Sequence, residues 1–193
     1  MGQVFDSIDA DREAFIRRQH LFIVATAPGQ GRVNCSPRGM DCLRILGPNR
    51  VAFLDITGSG NETAAHVRDN GRMTLMFMSF DAAPGIVRLY GRARLVLPVD
   101  PEWDALLPLF TALPAMRQIF VLDVDRVSTA CGYGVPKYQY ECERDIFPKW
   151  KVGQEPGRLR AWWAEYNLAS IDGLPTGLDR VLEPAPLHEE APR

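Results

Sequence analysis

The chain has 193 residues, 46% of them hydrophobic and 24% charged, with a formal net charge of -2. That balance suits a soluble globular protein able to bury a core without disulfides or metals, and it lacks the basic excess that nucleic acid requires of a partner. The longest apolar run, residues 21–27, is far shorter than the roughly 20 residues of a membrane span, and the mixed, acidic first eleven residues do not read as a secretory signal.

Four cysteines, Cys35, Cys42, Cys131 and Cys142, form no C-x-x-C pair and are too sparse for a disulfide framework. His20, His66 and His188 lie outside any zinc-ligand spacing relative to them. The expectation is a cytoplasmic chain with reduced thiols, no metal, no nucleic acid and no membrane partner.

In chain order, residues 6–19 read as a first helix, capped by Ser7 or Asp9, with Phe5, Ile8, Phe15 and Ile16 as a rough apolar stripe. Residues 21–27 are a strand, Pro28-Gly29-Gln30-Gly31 a turn, and 32–36 the return strand of a hairpin. Residues 42–46 and 51–56 are strands around the Gly47-Pro48-Asn49-Arg50 turn. After Thr57-Gly58-Ser59-Gly60-Asn61 comes a short helix over 62–69, with Asn61 placed as its cap and Asn70-Gly71 as a left-handed stop. Strands follow at 73–80 and 86–97, the second with Gly91 as a bulge or bend. Pro108 and Pro114 break residues 101–116 into helical pieces, and 118–128 alternates as a strand with a phase shift near Asp123. Residues 129–136 are a glycine-containing loop and 155–168 a last helix carrying Trp162, Trp163 and Tyr166. From Pro175 the composition is proline-rich and polar, so the expected division is a domain over 1–174 and a mobile tail over 175–193. Six or seven short strands with few helices indicate a mainly β, antiparallel barrel with peripheral helices, and no glycine-rich dinucleotide fingerprint follows any strand.

Two polar, glycine-punctuated segments follow apolar strands: Asn34-Cys35-Ser36-Pro37-Arg38-Gly39, and residues 55–66. The second runs from strand through flexible loop to helix start. A helix start presents unpaired N–H groups and partial positive charge, which suits a phosphate. Ser59, Asn61 and Thr63 add side-chain donors, Gly58 and Gly60 permit close approach, and Arg38 offers a fixed fork of donors. The plainer account is that this loop only leads a strand into a capped helix. Glu62 opposes a phosphate unless it turns away from it.

Three segments carry a resemblance: Asn34-Cys35-Ser36-Pro37-Arg38-Gly39, Thr57-Gly58-Ser59-Gly60-Asn61-Glu62-Thr63, and Cys131-Gly132-Tyr133-Gly134-Val135-Pro136. With the strand containing Arg88, Tyr90 and Gly91, they resemble the pyridoxamine-phosphate-oxidase-like family, in a branch distinct from the true pyridoxamine-phosphate oxidases. The resemblance implies a six-stranded split β-barrel of FMN-binding type, working as a homodimeric flavin-dependent oxidoreductase on a small molecule. It implies FMN phosphate against Asn61, Glu62, Thr63 and Arg38, with the flavin ring along Ser36, Gly39, Leu54, Asp55 and Thr57, and Ser59 and Arg88 nearby. Cys131, Tyr133, Val135 and Lys137 would close the site from the partner subunit or meet substrate. The best-known members carry a Ser-Arg-Lys type sequence where this chain has Asn61-Glu62-Thr63. That departure leaves a non-catalytic flavin carrier as an alternative, and the same barrel can use a deazaflavin or haem.

Several of these residues have a simpler reading. Arg38 and Arg88 suit a ligand or an ordinary solvent-facing pair, and Cys131 and Tyr133 suit loop packing. His66, one turn beyond Glu62, suits an i,i+4 pair, with proton donation as the alternative.

Overall fold

The computed structural model describes residues 2–146, 149–150 and 155–182. Eight strands make one antiparallel sheet among these residues: β1 (Val4–Phe5), β2 (Phe22–Thr26), β3 (Asn34–Arg38), β4 (Leu43–Gly47), β5 (Arg50–Ile56), β6 (Arg72–Met78), β7 (Ile86–Val96) and β8 (Met116–Ala130). The strand order is β3-β2-β6-β7-β8-β5-β4, with β1 paired to β8. The seven strands read from pattern are all present, one more than the resemblance implies. The two residues of β1 are too few to show periodicity, and they join by pairing Val4 with Ser128 and Phe5 with Val127. The hydrogen-bonded path ends at β3 and β4, so the barrel is split between them.

Among the described residues five helices decorate the sheet: α1 (Ala10–Arg17), α2 (Glu62–Asn70), α3 (Trp103–Leu106), α4 (Pro156–Tyr166) and α5 (Asp179–Leu182), with a 3-10 turn at Leu107–Leu109. Asp9 caps α1, its carboxylate accepting the Arg12 amide N–H at 3.0 Å. Gly71 stops α2 with φ of 72°, a left-handed conformation that a β-carbon disfavours. No helix among the described residues is long and apolar enough to cross a membrane.

The core lies inside the curved sheet. Phe22, Phe53, Phe77 and Phe120 pack there, Phe22 edge-on to Phe53, with ring centroids 5.0–5.7 Å apart, each ring worth roughly 1.5–3 kcal/mol of burial. The expected alternation of β8 begins only at Asp123, because residues 117–122 are buried on both faces. A strand covered on both sides has no polar face to alternate with. The phase shift sits next to the expected place: Tyr90 pairs with Arg126 and Gly91 with Val124, which leaves Asp125 as the bulged residue.

A second, smaller cluster forms outside the sheet from Leu97, Trp163, Leu178 and Val181. Here the structure differs from the tail expected after residue 174. Thr176 and Leu178 are fully buried, and Asp100 accepts from Arg180 of α5 at 2.6 Å. The polar, proline-containing composition conceals a few apolar anchors that suffice to dock the segment. Residues 183–193 of the expected tail lie outside the described residues, as does His188.

Candidate functional site

A cavity of about 870 Å³ opens at the split in the barrel. One wall is β3 and the turn after it. Asn34, Ser36 and Arg38 alternate with the exposed Cys35 and Pro37, so the three polar side chains share one face. Ser36 Oγ donates to Asn34 Oδ1 at 3.1 Å, and Asn34 Nδ2 donates to Thr63 Oγ1 at 3.2 Å. The β3 wall is thereby tied to the start of α2.

The opposite wall is the end of β5 and the glycine loop. Thr57 Oγ1 donates to the Ala115 carbonyl at 2.9 Å and accepts from Trp163 Nε1 at 2.8 Å. Trp162 Nε1 and Asn167 Nδ2 donate to the Gly58 carbonyl, at 3.2 and 3.3 Å. The loop is therefore held from behind by α4 and the segment after it. A third wall is that segment itself, a strap whose Ala169, Ser170 and Ile171 line the cavity. Asp172 fastens the strap to the β2–β3 turn through the backbone N–H and guanidinium of Arg32.

Below the cavity lies a buried polar network that local pattern did not disclose. Asp55, Arg117, Gln118, Asn61 and Asn167 are all buried. Arg117 donates to Asp55 Oδ2 from Nη2 at 2.7 Å and Nε at 3.3 Å, and from Nη1 to the Gly60 carbonyl at 3.0 Å and Asn167 Oδ1 at 2.8 Å. Gln118 Nε2 donates to Asp55 Oδ2 at 2.8 Å and Asn61 Oδ1 at 2.6 Å. On the cavity side, Arg38 Nη2 pairs with Asp55 Oδ1 at 3.0 Å. Burial pushes the Asp55 carboxyl upward, but the Arg117 and Arg38 charges and the hydrogen bonds from Arg117 and Gln118 outweigh it and hold it below the usual carboxylate range. Two guanidiniums share one carboxylate, so the cluster keeps an excess positive charge at the cavity wall.

Of the residues singled out in the sequence, Ser36, Arg38, Gly39, Leu54, Thr57, Ser59, Asn61, Glu62 and Thr63 line this cavity, and Asp55 stands directly behind it. Arg88 does not line it: it is half-buried on β7, opposite Met76 and Ser128. Cys131, Tyr133, Val135 and Lys137 follow the far end of β8 from Arg117, and none lines the cavity of its own chain.

Two local expectations are corrected. Asn61 occupies the cap position of α2 but its side chain makes no capping bond, because Gln118 and Asn167 engage the carboxamide. His66 does not pair with Glu62: it is buried, with Nδ1 at 3.0 Å from Thr26 Oγ1. Glu62 instead turns to the strap, accepting the Ile171 N–H at 3.0 and 3.1 Å.

The sequence profile of the family described as pyridoxamine 5'-phosphate oxidase matches residues 8–131. The chain belongs to that family. It is 32% identical to the pyridoxamine 5'-phosphate oxidase family protein ustO of Aspergillus flavus over 191 residues, which covers 89% of this chain and 76% of that protein. Among solved structures it resembles HupZ of Group A Streptococcus, with a TM-score of 0.52 at 19% identity, over 62% of this chain and 91% of HupZ. It also resembles a Lactobacillus delbrueckii protein provisionally named a pyridoxamine 5'-phosphate oxidase, with a TM-score of 0.52 at 17% identity, over 64% of this chain and 94% of that one. These two likenesses establish the fold.

The family match includes β3, the glycine loop, α2 and Arg117, but it ends at Cys131. The strap and Asn167 lie beyond it. The third wall of the cavity is therefore built by a part of the chain outside the segment that matches the family's profile.

Proposed function

We propose that the chain is a flavin-dependent oxidoreductase of the pyridoxamine 5'-phosphate oxidase family, holding FMN in the cavity at the barrel split and acting on a small molecule. The observation that carries this reading is the Arg38 guanidinium at the cavity wall. Its Nη2 is tied to Asp55, while its buried Nε has no hydrogen-bond partner. The rest of the wall fits a phosphorylated planar group. A β-carbon on Gly58 or Gly60 would meet nothing closer than 3.9 or 3.5 Å, which leaves open backbone beside the α2 start. The cavity, about 870 Å³, falls in the range of cofactor sites.

Flavin would supply the redox chemistry, and the protein supplies binding, orientation and shielding from water. Arg38 and the α2 start would receive the phosphate. Ser36, Gly39, Leu54 and Thr57 would border the ring, with Ser59 at the loop and Asp55 behind Arg38. The family resemblance supports a homodimer in which Cys131, Tyr133, Val135 and Lys137 of a second subunit close the site, with Arg88 near the same seam. The cellular setting proposed is the cytoplasm.

A second reading, a non-catalytic flavin carrier, is favoured by Glu62, which stands where the best-known members carry a basic residue. Purified protein incubated separately with FMN, FAD, a deazaflavin and haem, then desalted and weighed by native mass spectrometry, tests the cofactor. Retention of FMN at one per subunit in a dimer is expected, and no retention of FMN overturns the proposal. Bound FMN that no nicotinamide or substrate reduces selects the carrier.

A further inference from the structure

We propose that Arg117 is a positioning residue that keeps Arg38 available to an anion, so that the cavity selects the phosphorylated form of its ligand. This rests on the flavin reading above and assigns a residue that the sequence did not single out. Arg117 borders the cavity, but its side chain is only 3% exposed and its Nε, Nη1 and Nη2 already donate to Asp55, Gly60 and Asn167. Its effect passes through Asp55. Were Arg38 the only cation beside that carboxylate, the two charges would cancel and Arg38 would be drawn wholly into the wall. Arg117 occupies Oδ2 from behind, Gln118 adds a second donor to the same oxygen, and Arg38 meets only Oδ1. Arg38 is thus anchored without being neutralised. Its side chain stays 21% exposed, with Asp55 at 1%.

Arg117 also fixes the neighbouring wall. Its bond to the Gly60 carbonyl sets the backbone immediately before the α2 start, where Asn61 is locked by Gln118. One buried guanidinium therefore registers Arg38 against the helix start, the two groups that would share a phosphate. Glu62, the acid of that first turn, is directed to the Ile171 N–H.

The test compares FMN with riboflavin, which has the same ring and lacks the phosphate. Dissociation constants are read from quenching of flavin fluorescence. Wild-type protein should prefer FMN by on the order of 100-fold, as expected for a charge-assisted pair. Arg38→Gln should remove most of that preference, and Arg117→Gln should reduce it about tenfold or more while changing riboflavin affinity less than about threefold. The double variant should lose little beyond Arg38→Gln, because both act at one phosphate. Arg117→Lys keeps the charge without the fork and should fall between wild type and Arg117→Gln. If Arg117→Gln fails to fold, the lysine variant carries the comparison.

Equal loss of FMN and riboflavin affinity in the folded Arg117 variants would assign a merely structural role and overturn the inference. A wild-type protein that binds both flavins equally also overturns it, with no variant needed, and leaves the flavin reading standing. Failure to bind either flavin overturns that reading instead.

Discussion

The Glu62 carboxylate accepts the Ile171 N–H through both oxygens, at 3.0 and 3.1 Å, joining the first turn of α2 to the strap beyond α4. An acid at this place would repel a phosphate if it faced the cavity freely. Bonded to the strap, it serves instead as a clasp that holds the third wall against the second. Asp172 makes the equivalent clasp to the β2–β3 turn, so the strap is fastened on both sides of the cavity.

Glu62→Ala should therefore loosen the strap without unfolding the barrel. The lost charge-assisted bonds are partly exposed and worth about 1 kcal/mol, which for a chain of this size lowers Tm by roughly 2–4 °C. Hydrogen exchange should show faster exchange at the Ile171 amide, with the amides of β5 and β8 unchanged. Unchanged protection at Ile171 would show that the clasp does not hold the strap.

Acid should act on Asp55. Its carboxyl titrates below its usual range because Arg117 and Arg38 outweigh the effect of burial. A depressed value in the folded state means stability that is present above the unfolded value, about pH 4, and lost as pH falls through the folded value. Asp55→Asn leaves the two guanidiniums facing each other and should cost roughly 3–5 kcal/mol at pH 7. Urea melts at pH 7, 5 and 3 should show this gap narrowing toward the acid end. Parallel curves for the two proteins would remove Asp55 from the acid sensitivity of the fold.

How much of this was legible in the sequence follows from what a pattern can carry. Most of the seven strands show as apolar or alternating runs bounded by turn residues, with the polar β3 legible as the return arm of a hairpin, and Gly71 and Gly91 mark a stop and a bulge because backbone geometry demands them. Arg38 and the glycine loop were visible because they are polar between apolar strands. Arg117 and Gln118 were not singled out: heading a strand, they read as an ordinary polar start, although each is buried. The available signal was the apolar run Ile119-Phe120-Val121-Leu122 directly after them, whose lack of alternation marks a strand covered on both faces. Asn167 and Thr176 carried no local signal. Their burial is set by contacts that span the chain, such as Arg117 with Asn167, which periodicity within a window does not record.

Gly91 permits a direct test of the bulge. A β-carbon there would run into the Asp123 carbonyl across the β7–β8 pair, with backbone rather than a flexible side chain in the way. Gly91→Ala should cost more than about 3 kcal/mol by overpacking. Thermal and urea melts should show the loss, whereas Gly134→Ala, which meets open space, should stay within about 0.5 kcal/mol. Near-equal stabilities for the two variants would mean that β7 and β8 pair without this close approach.

The cysteines should divide by reactivity. Cys42 is buried at the base of the turn after β3, and burial pushes its thiol up to about 12. Cys35, Cys131 and Cys142 are exposed and unpaired. Because the thiolate is the reacting species, alkylation with iodoacetamide at pH 8 should label Cys35 and Cys142 in the native protein and spare Cys42 until denaturant is added. Peptide mass mapping reads the order directly. Cys42 also lines the cavity, beside Arg38 and Leu54. Its labelling at the native rate of the others would show that the cavity floor opens to reagent, which the tight Arg38–Asp55–Arg117 cluster beneath that floor should prevent.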